Sequence, residues 1–279
     1  MARHLWSTII RTPLSVLTAM CVIGGWLGAV TDVDGGRIEL SATTGPIFDD
    51  FLGPAGSAPS SQLWDYDLGG GGWGNNELQV YTNSPDNVRL DGQGNLLIQA
   101  RRSGTGYTSA RLVTRGKAEI KYGTMMARIK FPSGQGLWPA FWMLGSNITT
   151  VGWPQCGEID LMELPNTGTR YNTAIHGPWT PPRTGHWSAS TSGATTVDLT
   201  AAFHNYWVYR QPGVIMIGVD GTTFGVYTRA SMPAGGQWVF DQPMFALLNI
   251  AVGGDWPGPP NASTPFPATM IVDWFRYTT

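Results

Sequence analysis

Charge is scarce in this chain. Only 13% of its 279 residues are Asp, Glu, Lys or Arg, and the formal net charge is −2. With no basic run, the electrostatic footprint of a nucleic-acid-binding protein is missing. Cysteine is nearly absent, with Cys21 and Cys156 alone, so no disulfide framework is available. If Cys21 leaves with a cleaved N-terminal segment, Cys156 is a lone thiol. No histidine is close to it in sequence, so it reads as a small packed residue rather than a nucleophile. Helical periodicity is missing from the body of the chain, as is any internal repeat, which argues against helical bundles and repeat arrays.

Long apolar runs are also missing, with one exception between Leu14 and Val30, broken only by Ser15, Thr18 and glycines. Arg3 and Arg11 precede it, and Leu27-Gly28-Ala29 supplies small residues for cleavage, the pattern of a secretory signal. Its length of roughly 17 residues would also serve as a short membrane anchor. Residues 1–30 are therefore expected to be a signal or anchor, 31–46 a linker, and 47–279 one domain. The expected location is secreted or at the cell envelope, with membrane contact only through an uncleaved N-terminus.

What is abundant is Gly and Pro, 37 and 20 residues, scattered so that they divide the chain into many short segments. In Met125–Phe131 the odd positions are all apolar while Arg128 and Lys130 take the even face, which predicts a half-buried strand. Val214–Val219 and Thr222–Tyr227 flank Asp220-Gly221, a strong hairpin signal. Leu96–Ala100 and Met244–Leu248 read as further strands. Many short strands separated by turn residues predict an all-β sandwich or barrel. Thirteen Trp residues are unusual in one chain; several are expected to pack in the core, and exposed indoles also stack well on the flat faces of sugar rings.

The most informative stretch is Gly157-Glu158-Ile159-Asp160-Leu161-Met162-Glu163. In a strand Glu158 and Asp160 share one face, while Ile159 and Leu161 point to the other. Glu163 stands five residues from Glu158, an odd offset that a regular strand would send to the wrong side. A β-bulge near Leu161–Met162 would return it. Three acids on one strand face repel each other, so the arrangement serves chemistry better than structure. Hydrolysis of a glycosidic bond needs such a set.

Around this strand the chain resembles glycoside hydrolase family 16, in its bacterial β-1,3-glucanase (laminarinase-like) branch. The resemblance rests on six ordered motifs between about Phe48 and Tyr277. These include Gly74-Asn75-Asn76-Glu77-Leu78-Gln79, Gly136-Leu137-Trp138-Pro139-Ala140-Phe141-Trp142-Met143-Leu144-Gly145, the acidic strand itself, and Leu248-Asn249-Ile250-Ala251-Val252-Gly253-Gly254. It implies a β-jelly roll of two curved antiparallel sheets whose concave face is a substrate cleft. It also implies Glu158 as nucleophile, Glu163 as acid/base and Asp160 as the assisting carboxylate.

By the same resemblance Trp138, Trp142 and Trp153 are stacking candidates and His176 lies near the cleft, while Trp256, after Gly253-Gly254-Asp255, is a candidate to close one end of the groove. Asn76, Glu77, Arg111 and Asn249 are candidates for sugar hydroxyls. No cofactor is expected for catalysis. A structural Ca²⁺ held by Asp273 and the Gly94 carbonyl is implied, although the ending Arg276-Tyr277-Thr278-Thr279 departs from the family pattern. Gly177–Ala194 matches no family pattern and is expected to form a cleft-edge loop. The implied activity is that of a monomeric endo-β-1,3-glucanase acting on polysaccharide. The open alternatives are mixed-linkage glucan or another polysaccharide, transglycosylation, or a non-catalytic glucan-binding protein.

Overall fold

Alternation of buried and exposed side chains organises the backbone. The computed structural model describes residues 46–279, so the expected signal or anchor and all of the linker but Pro46 lie outside the described residues. The strands begin with β1 (Ile47–Asp49), β2 (Asp65–Tyr66), β3 (Gln79–Tyr81), β4 (Val88–Leu90), β5 (Leu96–Ser103) and β6 (Gly106–Ser109). Next come β7 (Arg111–Val113), β8 (Gly123–Lys130), β9 (Leu137–Gly145), β10 (Glu158–Glu163), β11 (Arg170–Pro178) and β12 (His186–Ala194). They end with β13 (His204–Gln211), β14 (Val214–Val219), β15 (Thr222–Thr228), β16 (Met244–Val252) and β17 (Ala268–Thr278). Helix is confined to one turn at Ile148–Val151 and a 3₁₀ turn at Arg229–Ser231 among the described residues.

The strands form two sheets. The outer sheet runs β15-β14-β13-β8-β17-β5-β6-β3, with β1 on β17 and β4 on β5, and the cleft sheet runs β12-β11-β10-β9-β16-β7-β2. In β8, Met125, Ala127 and Ile129 are buried while Arg128 and Lys130 are not, as the period-2 pattern predicts. Ile159, Leu161, Phe141 and Ile175 from one sheet meet Ile129, Val208 and Phe275 from the other in one core. Truncating such a residue, Leu161→Ala for example, would cost about 2–5 kcal/mol through lost transfer energy and the cavity left behind. The β14–β15 hairpin turns at Asp220, which takes a left-handed φ of 51°. An Asp tolerates that conformation when its carboxylate finds local donors; here it accepts from the Asn205 amide at 2.8 Å.

Three expectations need correction. The sheets are not wholly antiparallel, because β3 pairs with β6 in parallel; β4 and β5 intervene and give the chain room to return in the same direction. His186–Ala194 is not a loop but β12, the edge strand of the cleft sheet, paired to β11 throughout. Its alternation is written in Ser, Thr and Ala around one buried Trp187, so hydrophobic periodicity barely registers. The calcium expectation also fails its test. Asp273, at a register shift in β17, is paired with Arg128 of β8. A guanidinium already neutralises the carboxylate, and a dication brought to it would face that like charge. The residues present do not fit the implied ion.

Candidate active site

The catalytic-type strand is aimed by its entry. Gly157 has φ 75°, and a Cβ there would fall 2.8 Å from Val239 Cγ2, so only glycine fits the turn into β10. Glu158 and Asp160 then face the cleft while Ile159 and Leu161 are fully buried. Against β9, Asp160 pairs with Trp142 and Met162 pairs with the very next partner, Phe141. The extra residue buries Leu161 and Met162 in succession and returns Glu163 to the cleft. This is the bulge that the odd spacing of the acids requires.

One imidazole faces the carboxylates. His176 on β11 lies opposite Glu158, with Nε2 at 3.1 Å from Asp160 Oδ2 and 3.9 Å from Glu158 Oε1. Trp138 Nε1 donates to Glu163 Oε1 at 3.0 Å. Burial raises all three acids above the usual carboxyl range. Glu158 reaches about 8, pushed by burial and then by the Asp160 charge, and partly offset by His176, Trp153 and Arg111. Burial alone drives the rise at Asp160. Glu163 is held well above the ordinary value by burial and by the charges of both Asp160 and Glu158. Of the three, Glu163 therefore has the strongest reason to keep a proton.

The opposite wall is built differently. The Arg111 guanidinium is held between Trp73 and Trp142, at 4.7 and 4.6 Å from their rings. Asp67 pairs with Arg111 at 3.2 Å and with Arg115 at 2.7 Å. Trp142 Nε1 donates to Asn249 Oδ1 at 2.7 Å, and Asn249 Nδ2 donates to Tyr81 Oη at 3.0 Å. The Asn249 amide is thus spent inside the wall. Glu77 accepts from Asn75 at 3.0 Å and from Gln79 at 2.6 Å.

Together the walls enclose a cleft of about 710 Å³, within the range of ligand sites. Trp153 and Trp256 stand in it 45% and 48% exposed, large apolar faces left free for a ligand. Trp256 packs edge-on against Trp138 at 5.3 Å.

All but one of the sequence-predicted contact residues line this cleft. The exception is Asn76, which turns to Asp255 at 2.9 Å, while Asn75 takes the lining position. Strand alternation does not hold there, because Trp73, Gly74 and Asn76 have φ of 48°, 86° and 56°. Sequence reasoning also missed His186 at the start of β12, whose ring lies tilted against Trp153 with centroids 4.7 Å apart. It missed the Asp67–Arg115 pair as well, whose partners lie 48 residues apart. Cys156 is buried, and burial pushes its thiol up to about 11, so it is inert.

The profile of Glycosyl hydrolases family 16 matches residues 75–276. The chain belongs to that family. It is accordingly a glycoside hydrolase, and family 16 chemistry runs on protein groups without a cofactor. Its two-sheet architecture is the family jelly roll. The chain is similar to a β-glucanase of Rhodothermus marinus, 41% identical over 231 residues, covering 78% of this chain and 79% of that one. The solved laminarinase of Rhodothermus marinus superposes with a TM-score of 0.73 at 37% identity, covering 83% of this chain and 96% of the other. The endo-β-1,3-glucanase of Pyrococcus furiosus does so with a TM-score of 0.72 at 42% identity, covering 82% and 92%.

Proposed function

We propose that this family 16 hydrolase is a retaining endo-glycosidase that cleaves β-1,3-glucan by double displacement. The bulge of β10 carries the reading, because it sets Glu158 and Glu163 on one cleft wall with Asp160 between them. Glu163, which burial and the charges of Asp160 and Glu158 favour as the protonated acid, donates to the leaving glycosidic oxygen. Glu158 is the acid that His176, Trp153 and Arg111 all favour as the anion, and it attacks the anomeric carbon. Asp160 assists by keeping His176 beside the nucleophile. Once Glu158 is esterified, its charge is gone and the hold of Glu163 on a proton weakens. Glu163 then takes the proton of the incoming water.

Substrate choice draws its support from the relatives, whose names are those of a β-glucanase, a laminarinase and an endo-β-1,3-glucanase. Trp153 beside Glu158 and Trp256 beside Trp138 are suited to stack sugars on both sides of the scissile bond. Export is part of the proposal and rests on the Leu14–Val30 segment. The test is product analysis on β-1,3-, mixed-linkage and β-1,4-glucans, with the new reducing end read by proton NMR before mutarotation. Oligosaccharides of mixed length in the β configuration, released from β-1,3-glucan, are expected. Cleavage confined to another glucan, or an initial α anomer, would overturn it.

A further inference from the structure

We propose that Glu158, Asp160 and His176 also form a binding site for a borderline divalent cation, Zn²⁺ in the first instance, whose occupancy reversibly blocks the enzyme. Only the inhibitory consequence rests on the functional reading above; the binding itself does not.

One donor atom from each residue lies within 4.8 Å of the other two. His176 Nε2 is 3.1 Å from Asp160 Oδ2 and 3.9 Å from Glu158 Oε1. A tetrahedral ion with bonds of about 2.0–2.1 Å holds its donors about 3.3 Å apart. The observed separations bracket that value, so a small rotation of the Glu158 side chain closes the set.

A second observation points to a ligand. Asp160 is 2% exposed, and its Oδ2 has no hydrogen bond. His176 comes close to this oxygen without the alignment of a hydrogen bond. A carboxylate oxygen is thus kept from water with nothing donating to it, although such groups are ordinarily satisfied. Charge adds to the case, since three acids share the wall with one imidazole. A dication offsets repulsion that the fold leaves in place.

One nitrogen and two oxygens with an open fourth position suit zinc or copper. Calcium and magnesium demand six or more oxygens, many from water, and fit poorly. The site opens on the cleft, so the ion enters from solvent and a water completes its shell. Bound there, it holds the Glu158 carboxylate that attack on the sugar requires. The His204–Asp220 pair, 2.8 Å apart, offers an imidazole and one carboxylate on the protein surface and serves as the internal control.

Chelator-treated full-length protein titrated with zinc chloride, without glucan, tests the proposal by calorimetry. One ion per chain is expected, weakened about tenfold or more in His176→Ala and unchanged in His204→Ala. Absent binding, binding intact in His176→Ala, or binding lost in His204→Ala overturns the site. Should His176→Ala fail to fold, His176→Gln removes the same ligand while keeping the bulk and is held to the same criterion. Calcium chloride producing equal heat would overturn the donor assignment. Zinc that binds as described in a chain that cleaves no glucan would sink the functional proposal and leave this one standing.

Discussion

Asp67 and Asp160 face the same cleft and teach opposite lessons. Asp67 is met by two guanidiniums, Arg111 at 3.2 Å and Arg115 at 2.7 Å. Asp160 has two further carboxyls beside it and one imidazole at 3.1 Å. On the first wall charge is compensated, and its effect is to fix Arg111 between Trp73 and Trp142. On the second wall it is left uncompensated, and its effect is to move protons. Buried acids without partners cost stability, and folds keep them where that cost does chemical work.

The sharpest way to break this contrast is to remove the acids. Glu158→Ala should lower kcat by about four orders of magnitude or more, and Glu163→Ala by about 10²–10⁴ on unactivated glucan. Azide should rescue the two with opposite stereochemistry. In Glu158→Ala it attacks from the nucleophile's side with Glu163 donating, giving the α-azide. In Glu163→Ala an activated substrate still esterifies Glu158, and azide opens that ester to the β-azide. A β-azide from Glu158→Ala, or near-normal turnover in either variant, would reverse or dissolve the division of labour.

Asp67→Asn probes the compensated wall. It should leave the acids of β10 in place but release Arg111 and Arg115 from their partner. A loss on the order of 1–3 kcal/mol in stability is expected, between the values for exposed and buried pairs. Weaker glucan binding should accompany it, with kcat falling less than KM rises. Equal stability and unchanged KM would show that the aromatic sandwich, not Asp67, holds Arg111.

How much of this could be read from the chain depended on sequence distance. The acidic strand was legible because its odd spacing is meaningless without a bulge, and the bulge is local. The β8 and β14–β15 strands were legible for the same reason, their alternation lying within seven or eight residues. β12 was not, since Ser, Thr and Ala carry its pattern and only pairing with β11 makes it a strand. Asn75 and Asn76 exchanged roles because left-handed residues break the alternation that sequence reasoning assumes. The Arg128–Asp273 pair spans 145 residues, and nothing local announces that the acid of the last strand is already matched.

The uncompensated wall should also show itself in stability. Glu158 has its carboxyl raised to about 8 from an ordinary 4.5. A raised acid contributes most below its unfolded value, and that contribution is lost as pH climbs from about 4.5 through about 8. Glu158→Gln escapes the loss. It should be more stable than the unmodified protein at pH 8 by on the order of 1–3 kcal/mol, a few degrees in melting temperature. The gap should close toward pH 4.5. A gap that is constant with pH would mean that Glu158 is not the group being forced to ionise.

The smallest effect expected isolates a single hydrogen bond. Trp138 Nε1 donates to Glu163 Oε1 at 3.0 Å, and this contact lowers the hold of Glu163 on its proton against burial and two neighbouring charges. Trp138→Phe keeps an aromatic ring to pack against Trp256 but has no N–H to give. A net hydrogen bond of about 0.5–1.5 kcal/mol corresponds to roughly half a pH unit to one unit. With the lowering contact gone, Glu163 stays protonated to higher pH, so the basic limb of kcat/KM should move upward by that amount. The acidic limb, set by Glu158, should stay where it is. A basic limb that stays still, or moves down, would mean that Glu163 is not the proton donor or that Trp138 does not reach it during turnover.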